Sequence, residues 1–136
     1  PNAAFQSYVA WKSARRMFFT RLFPNIMVRK DEFERNMRLI LENYFSKGGA
    51  KRAILINIAY PGEHLTKRSY DVLRIIESYN EVLARIAAED PERVMVIDVF
   101  SITRDRRSLI TIEDGHHLTA EAHKILARSL LERVAT

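Results

Sequence analysis

The residues best suited to chemistry lie together in Glu113-Asp114-Gly115-His116-His117-Leu118-Thr119. Asp114 and His117 are three residues apart, and Gly115 between them lets the backbone turn, so a carboxylate and an imidazole can face each other. An aspartate so placed accepts the Nδ1–H of the histidine and fixes its tautomer. It also stabilises the imidazolium formed when Nε2 takes a proton from a nucleophile. That is the base-and-orienter half of a Ser-His-Asp machine. The same four residues support a plainer reading, a loop aspartate bonding backbone amides beside two solvated histidines. Asp114, His116, His117 and His123 are also metal-ligand types. Adjacent histidines in an extended segment are expected to point apart, however, and no two histidines stand four apart on a helix. No metal site and no cofactor is therefore expected. Lys67 and Arg68, close to His64, could touch an anionic substrate, with a solvated loop as the simpler account.

The elements that must position this cluster follow from periodicity. Residues 4–23 lack Gly and Pro and read as helix, with Pro24 near the stop and aromatics on more than one face between arginines. Asp31 with Glu34 has the spacing of a capping box, opening a helix that carries Phe33, Met37, Ile40, Leu41 and Tyr44 and closes at Gly48-Gly49. Lys51–Tyr60 and Arg93–Phe100 are short, β-branched, nearly continuous apolar runs, the pattern of strands covered on both faces. Pro61-Gly62 ends the first, Glu63–Lys67 reads as polar loop, and a helix over 69–88 carries Val72, Ile76, Tyr79, Leu83 and Ile86. Ser101–Ile112 reads as loop, and Thr119 caps the last helix. A strand, helix, strand order at this spacing predicts two parallel strands and an α/β fold. Two strands make a poor sheet, so the sheet is expected to be incomplete.

From Asp114 to His123, followed by an apolar helix, the sequence resembles the last signature block of the SGNH (GDSL-type) serine hydrolases. The strand ending at Pro61, the helix bearing Tyr79-Asn80 and the strand ending Val96-Ile97-Asp98-Val99 also look like that family, over roughly Asp31 to Val134. The resemblance implies a three-layer α/β/α, flavodoxin-like fold with a parallel sheet. It makes Asp114 the orienting acid and His117 the general base, with His116 a neighbour and His123 a packing or capping residue of the helix. It also implies a serine in a Gly-Asp-Ser block and oxyanion donors from Gly and Asn blocks. The chain has no Gly before Gly48, no Gly-Asp-Ser, and none of its eight serines in that context. The expectation is thus the C-terminal part of an esterase acting on acyl esters of small molecules, carbohydrates or lipids. Its nucleophile would come from a preceding segment or another copy of the chain, and these residues alone would be inactive.

Charge and composition frame the rival reading. Residues 1–30 carry Lys12, Arg15, Arg16, Arg21, Arg29 and Lys30 with no acid, whereas the other 106 residues hold 16 basic and 17 acidic groups. The body is nearly neutral, which argues against a nucleic-acid wrapper. Residues 1–30 are read as a basic aromatic helical segment and 31–136 as the hydrolase-like part, both in one domain. The alternative is a non-catalytic binding module whose N-terminal helix contacts a membrane surface or nucleic acid. No cysteine is present, which excludes disulfides, thiolate sites and a thiol nucleophile. The longest apolar run, Ala53 to Tyr60, is too short to span a bilayer. No secretory leader is visible, so a cytoplasmic setting is preferred, and Pro1 reads as a cut end.

Overall fold

A computed structural model of the chain describes residues 3–22 and 28–134. The elements run α1 (Ala3–Ala14), α2 (Arg16–Leu22), α3 (Lys30–Ser46), β1 (Ala53–Ile56), α4 (Glu63–Arg68), α5 (Val72–Glu89), β2 (Val94–Ile97), α6 (Val99–Asp105), one 3₁₀ turn (Arg107–Leu109) and α7 (Ala120–Val134). The protein is a mixed α/β structure, mostly helical, around a two-stranded parallel sheet. The pair is in register from Ala53 opposite Val94 to Ile56 opposite Ile97.

The core forms where apolar residues recur four apart. Leu41 of α3, Val82 and Ile86 of α5, Ala53 of β1 and Val94 of β2 are buried together, with Phe33, Met37 and Phe45 packed against them. The buried face of α3 is therefore the 33, 37, 41, 45 row. Ile40 and Tyr44, expected on that face, are 58% and 50% exposed. The capping box does not form either. Arg29 occupies the N-cap with no side-chain bond to the helix N–H groups, its guanidinium lying 3.3 Å from Asp31, which with Glu32 stands in the first turn, where the helix dipole favours acids. Glu34 turns instead to Arg38 at 2.8 Å and to Arg85 of α5, clipping the two helices together.

Both strands are shorter than the apolar runs that encode them, because polar side chains take over the backbone pairing. Past β1 the ladder ends with Asn57 N–H donating to Ile97 O at 3.3 Å. The Asn80 amide then brackets the backbone of Ile58, accepting its N–H and donating to its C=O, both at 2.8 Å. Thr103 Oγ1 accepts the Tyr60 N–H at 2.8 Å. Past β2, Asp98 caps α6 by accepting the Ser101 N–H at 3.1 Å. Asn57 links the two strand ends, donating to Asp98 at 2.7 Å and accepting the Phe100 N–H at 2.9 Å.

This capping is why Ser101–Ile112 is largely helical rather than the loop its polarity suggested, with Val99 and Thr103 turned into the core. Glu63–Lys67 likewise falls within α4, its first turn closed by Leu65 and Thr66 N–H groups on the Gly62 carbonyl. The predicted helix over 4–23 divides in two at Arg15, while Phe23 and Pro24 lie outside the described residues. α2 is tied to the body through Tyr70, whose N–H bonds Thr20 Oγ1 at 2.9 Å and whose ring lies under Arg21.

Nor is β1 covered on both faces. Ile56 and Ile58 are 43% and 40% exposed, and Leu39 of α3 is exposed as well. Among the described residues, no helix is long and apolar enough to cross a membrane.

Candidate active site

The Asp114 segment is a closed loop rather than a free one. Thr119 N–H donates to Leu109 O and Thr111 N–H to His117 O, both at 2.9 Å, while Ile110 and Leu118 pair across its base. Thr119 then starts α7, its hydroxyl 3.4 Å from the Ala122 N–H. Inside the loop, Gly115 N–H donates to Thr111 O at 3.0 Å, and Gly115 has φ +73°, the left-handed conformation that side chains disfavour. The Gly115 carbonyl accepts the Gly62 N–H at 2.7 Å. These two glycines let the loop touch the turn after β1 backbone to backbone.

This folding gathers four donors on one carboxylate. Asp114 Oδ1 accepts the Thr111 hydroxyl at 2.7 Å and the His116 and His117 N–H groups at 2.8 and 3.0 Å. Asp114 Oδ2 lies 2.5 Å from His117 Nδ1. The His117 ring, then the two backbone N–H groups and the Thr111 hydroxyl, hold the Asp114 carboxyl far below the usual carboxylate range. Asp114 thus does what both sequence readings asked of it: it organises the loop backbone, and it holds an imidazole by Nδ1. The His117 side chain is 69% exposed, and among the described residues no hydroxyl bonds its other nitrogen. An imidazole is thus held by one nitrogen, with the other open to solvent.

His116 corrects an expectation. The loop is a tight turn rather than a strand, so the adjacent rings of His116 and His117 do not point apart. Their centroids are 4.1 Å apart. Ligand atoms of Asp114, His116 and His117 consequently lie within 4.8 Å of one another. A cation there would have to compete with the four donors already on Asp114. His123 is exposed on α7, away from this cluster. His64 Nε2 contacts Arg68 at 2.7 Å and Lys67 pairs with Glu63 at 2.8 Å, so these groups are engaged within α4.

The sequence reading took Pro61-Gly62 as the turn that ends the first strand, but it did not bring Gly62 or Thr111 to the Asp114 loop. A cleft of about 650 Å³ opens against the same loop, lined by Tyr60, Gly62, Arg107, Ile110, Thr111 and Gly115 among others, though not by Asp114 or His117 themselves. Asn57, Asn80 and Asp98 fix the strand ends from which this cleft rises. No family model matches the chain, and no curated protein or solved structure does.

Proposed function

We propose that this chain is the acid–base part of a serine esterase of the SGNH type, hydrolysing acyl or acetyl esters on a small molecule, carbohydrate or lipid. The observation that carries the reading is the Asp114 Oδ2 to His117 Nδ1 contact in a braced loop directly before the last helix. In this reading a serine Oγ attacks the ester carbonyl while Nε2 of His117 takes its proton. His117 returns that proton to the leaving alcohol, and water then releases the acyl group by the same route. Asp114 stays ionised throughout and stabilises the imidazolium. The serine and the oxyanion donors come from polypeptide outside these residues, which would also extend the sheet toward a three-layer α/β/α form. The uncovered Leu39, Ile40, Tyr44, Ile56 and Ile58 support that extension.

The full 136-residue chain is expected to hydrolyse p-nitrophenyl acetate no faster than buffer and to take no fluorophosphonate label on serine. A labelled serine, or turnover that His117→Ala abolishes, would show that the nucleophile is already present.

The exposed aromatics of α1 and α2 favour a second reading, a binding module. Phe5, Tyr8, Trp11 and Phe18 are all about half exposed or more, and Arg15 stacks on Trp11 at 4.8 Å. On that reading the chain co-sediments with vesicles containing anionic lipid, salt releases it, and deleting residues 1–22 removes it. Equal sedimentation with neutral vesicles would count against it.

A further inference from the structure

We propose that the cleft beside Asp114 and His117 binds a carboxylate on the substrate, with Arg107 as the group that takes it. The substrate would then be an ester that also bears an acid. This rests on the hydrolase reading and names its substrate class. Arg107 sits with its guanidinium carbon 3.7 Å from the centroid of the Tyr60 ring. Tyr60 is itself braced, its N–H on Thr103 and its ring 5.2 Å from that of Phe100. Stacking holds a planar guanidinium without using its N–H donors, so the fork remains available to a planar oxyanion with little ordering cost.

The surrounding charges leave the cleft net positive. Among the described residues Arg107 enters no ion pair within 4.0 Å, while Glu63, the acid of the cleft wall, is bonded to Lys67 at 2.8 Å and also feels the Arg107 charge. Two cations, Lys67 and Arg107, thus stand against one acid, and Arg107 is the one held on a ring. Ile112, with the edges of Pro61 and Ile110, gives the cleft an apolar stretch opposite its polar wall of Glu63, His64, Thr66 and Lys67. Its floor is Thr111 and Gly115, and Thr111 is bonded directly to Asp114. A molecule anchored by its carboxylate on Arg107 therefore lies over the loop that holds the catalytic pair. A planar guanidinium fork beside an apolar stretch matches a planar carboxylate on an apolar body, and inorganic phosphate is the competing anion that the titration separates.

The test is a titration of the full chain with benzoate, followed by backbone amide shifts. Saturable shifts at Gly62, Thr111 and Gly115 are expected with benzoate and not with benzamide, its neutral counterpart. Arg107→Gln should weaken benzoate about ten-fold or more, the loss of one charge-assisted fork. Tyr60→Leu keeps the charge, removes the platform, and should weaken it by less. Equal response to benzoate and benzamide, an unchanged Arg107→Gln titration, no response to benzoate, or tighter binding of inorganic phosphate would each overturn the proposal. The titration involves no turnover. A failure here removes the carboxylate site alone, and the esterase reading stands or falls on the ester assays.

Discussion

On the esterase reading, replacing His117 with alanine once the serine block is supplied is expected to lower kcat about 10⁶-fold with KM little changed. Asp114→Asn should cost less, about 10⁴-fold, and for a different reason. The amide can donate to Nδ1 instead of accepting from it, which selects the wrong tautomer and leaves Nε2 protonated. His116→Ala, at a ring beside the pair, should have the smallest effect of the three. Kinetics on p-nitrophenyl acetate separate the variants, and a loss under ten-fold for His117→Ala would remove the general-base role.

Asp114 also has a structural part that a melting series against pH can isolate. Its folded carboxyl is lowered, first by the His117 ring and then by the His116 and His117 N–H groups and the Thr111 hydroxyl. A lowered carboxyl contributes stability that is complete above the ordinary aspartate range and is lost only as pH falls through the folded value. The parent protein should thus keep its advantage over Asp114→Asn through neutral and mildly acidic pH. The two curves should converge only below the ordinary range. Convergence already at mildly acidic pH would mean that the four donors do not hold the carboxylate.

Gly115→Ala is expected to destabilise the fold by roughly 3 kcal/mol and to displace the Asp114–His117 loop. Two costs combine. The left-handed backbone at φ +73° costs an L side chain about 1–2 kcal/mol. The added Cβ would also stand 2.8 Å from Leu65 N and 3.2 Å from Gly62 O, backbone atoms of α4 and the turn before it that cannot swing aside. Gly49 supplies the internal control. Its φ is +63°, yet a Cβ there meets nothing within 4 Å. Gly49→Ala should therefore show the backbone cost alone. Urea unfolding of both variants measures the difference, and equal losses would mean that the Gly62 to Gly115 approach is looser than its 2.7 Å hydrogen bond indicates.

The local features of this protein were legible because they depend on near neighbours in the chain. Apolar runs at 53–56 and 94–97 separated by a long amphipathic helix could only pair in parallel, and they do. The three-residue spacing of Asp114 and His117 across a glycine was enough to forecast their contact. Features needing distant residues were not legible. Whether Ile40 and Tyr44 or Phe45 face inward on α3 depends on where α5 lies, and periodicity alone put Ile40 and Tyr44 on the apolar side and passed over Phe45. Strand ends were overestimated because Asn57, Asn80 and Thr103, remote in sequence, take backbone groups that a longer ladder would have used.

By itself the sequence determined the order of the two strands and the long helices around them and their parallel pairing, and it offered the acid–histidine contact as one of two readings, since each follows from periodicity or from a spacing of a few residues. Only the tertiary structure decided that Asp114 carries four donors, that Gly115 meets Gly62, and that Arg107 lies on Tyr60. Residues 60, 62, 107 and 115 become neighbours only when β1 and the loop before α7 are brought side by side, and no local pattern records that approach.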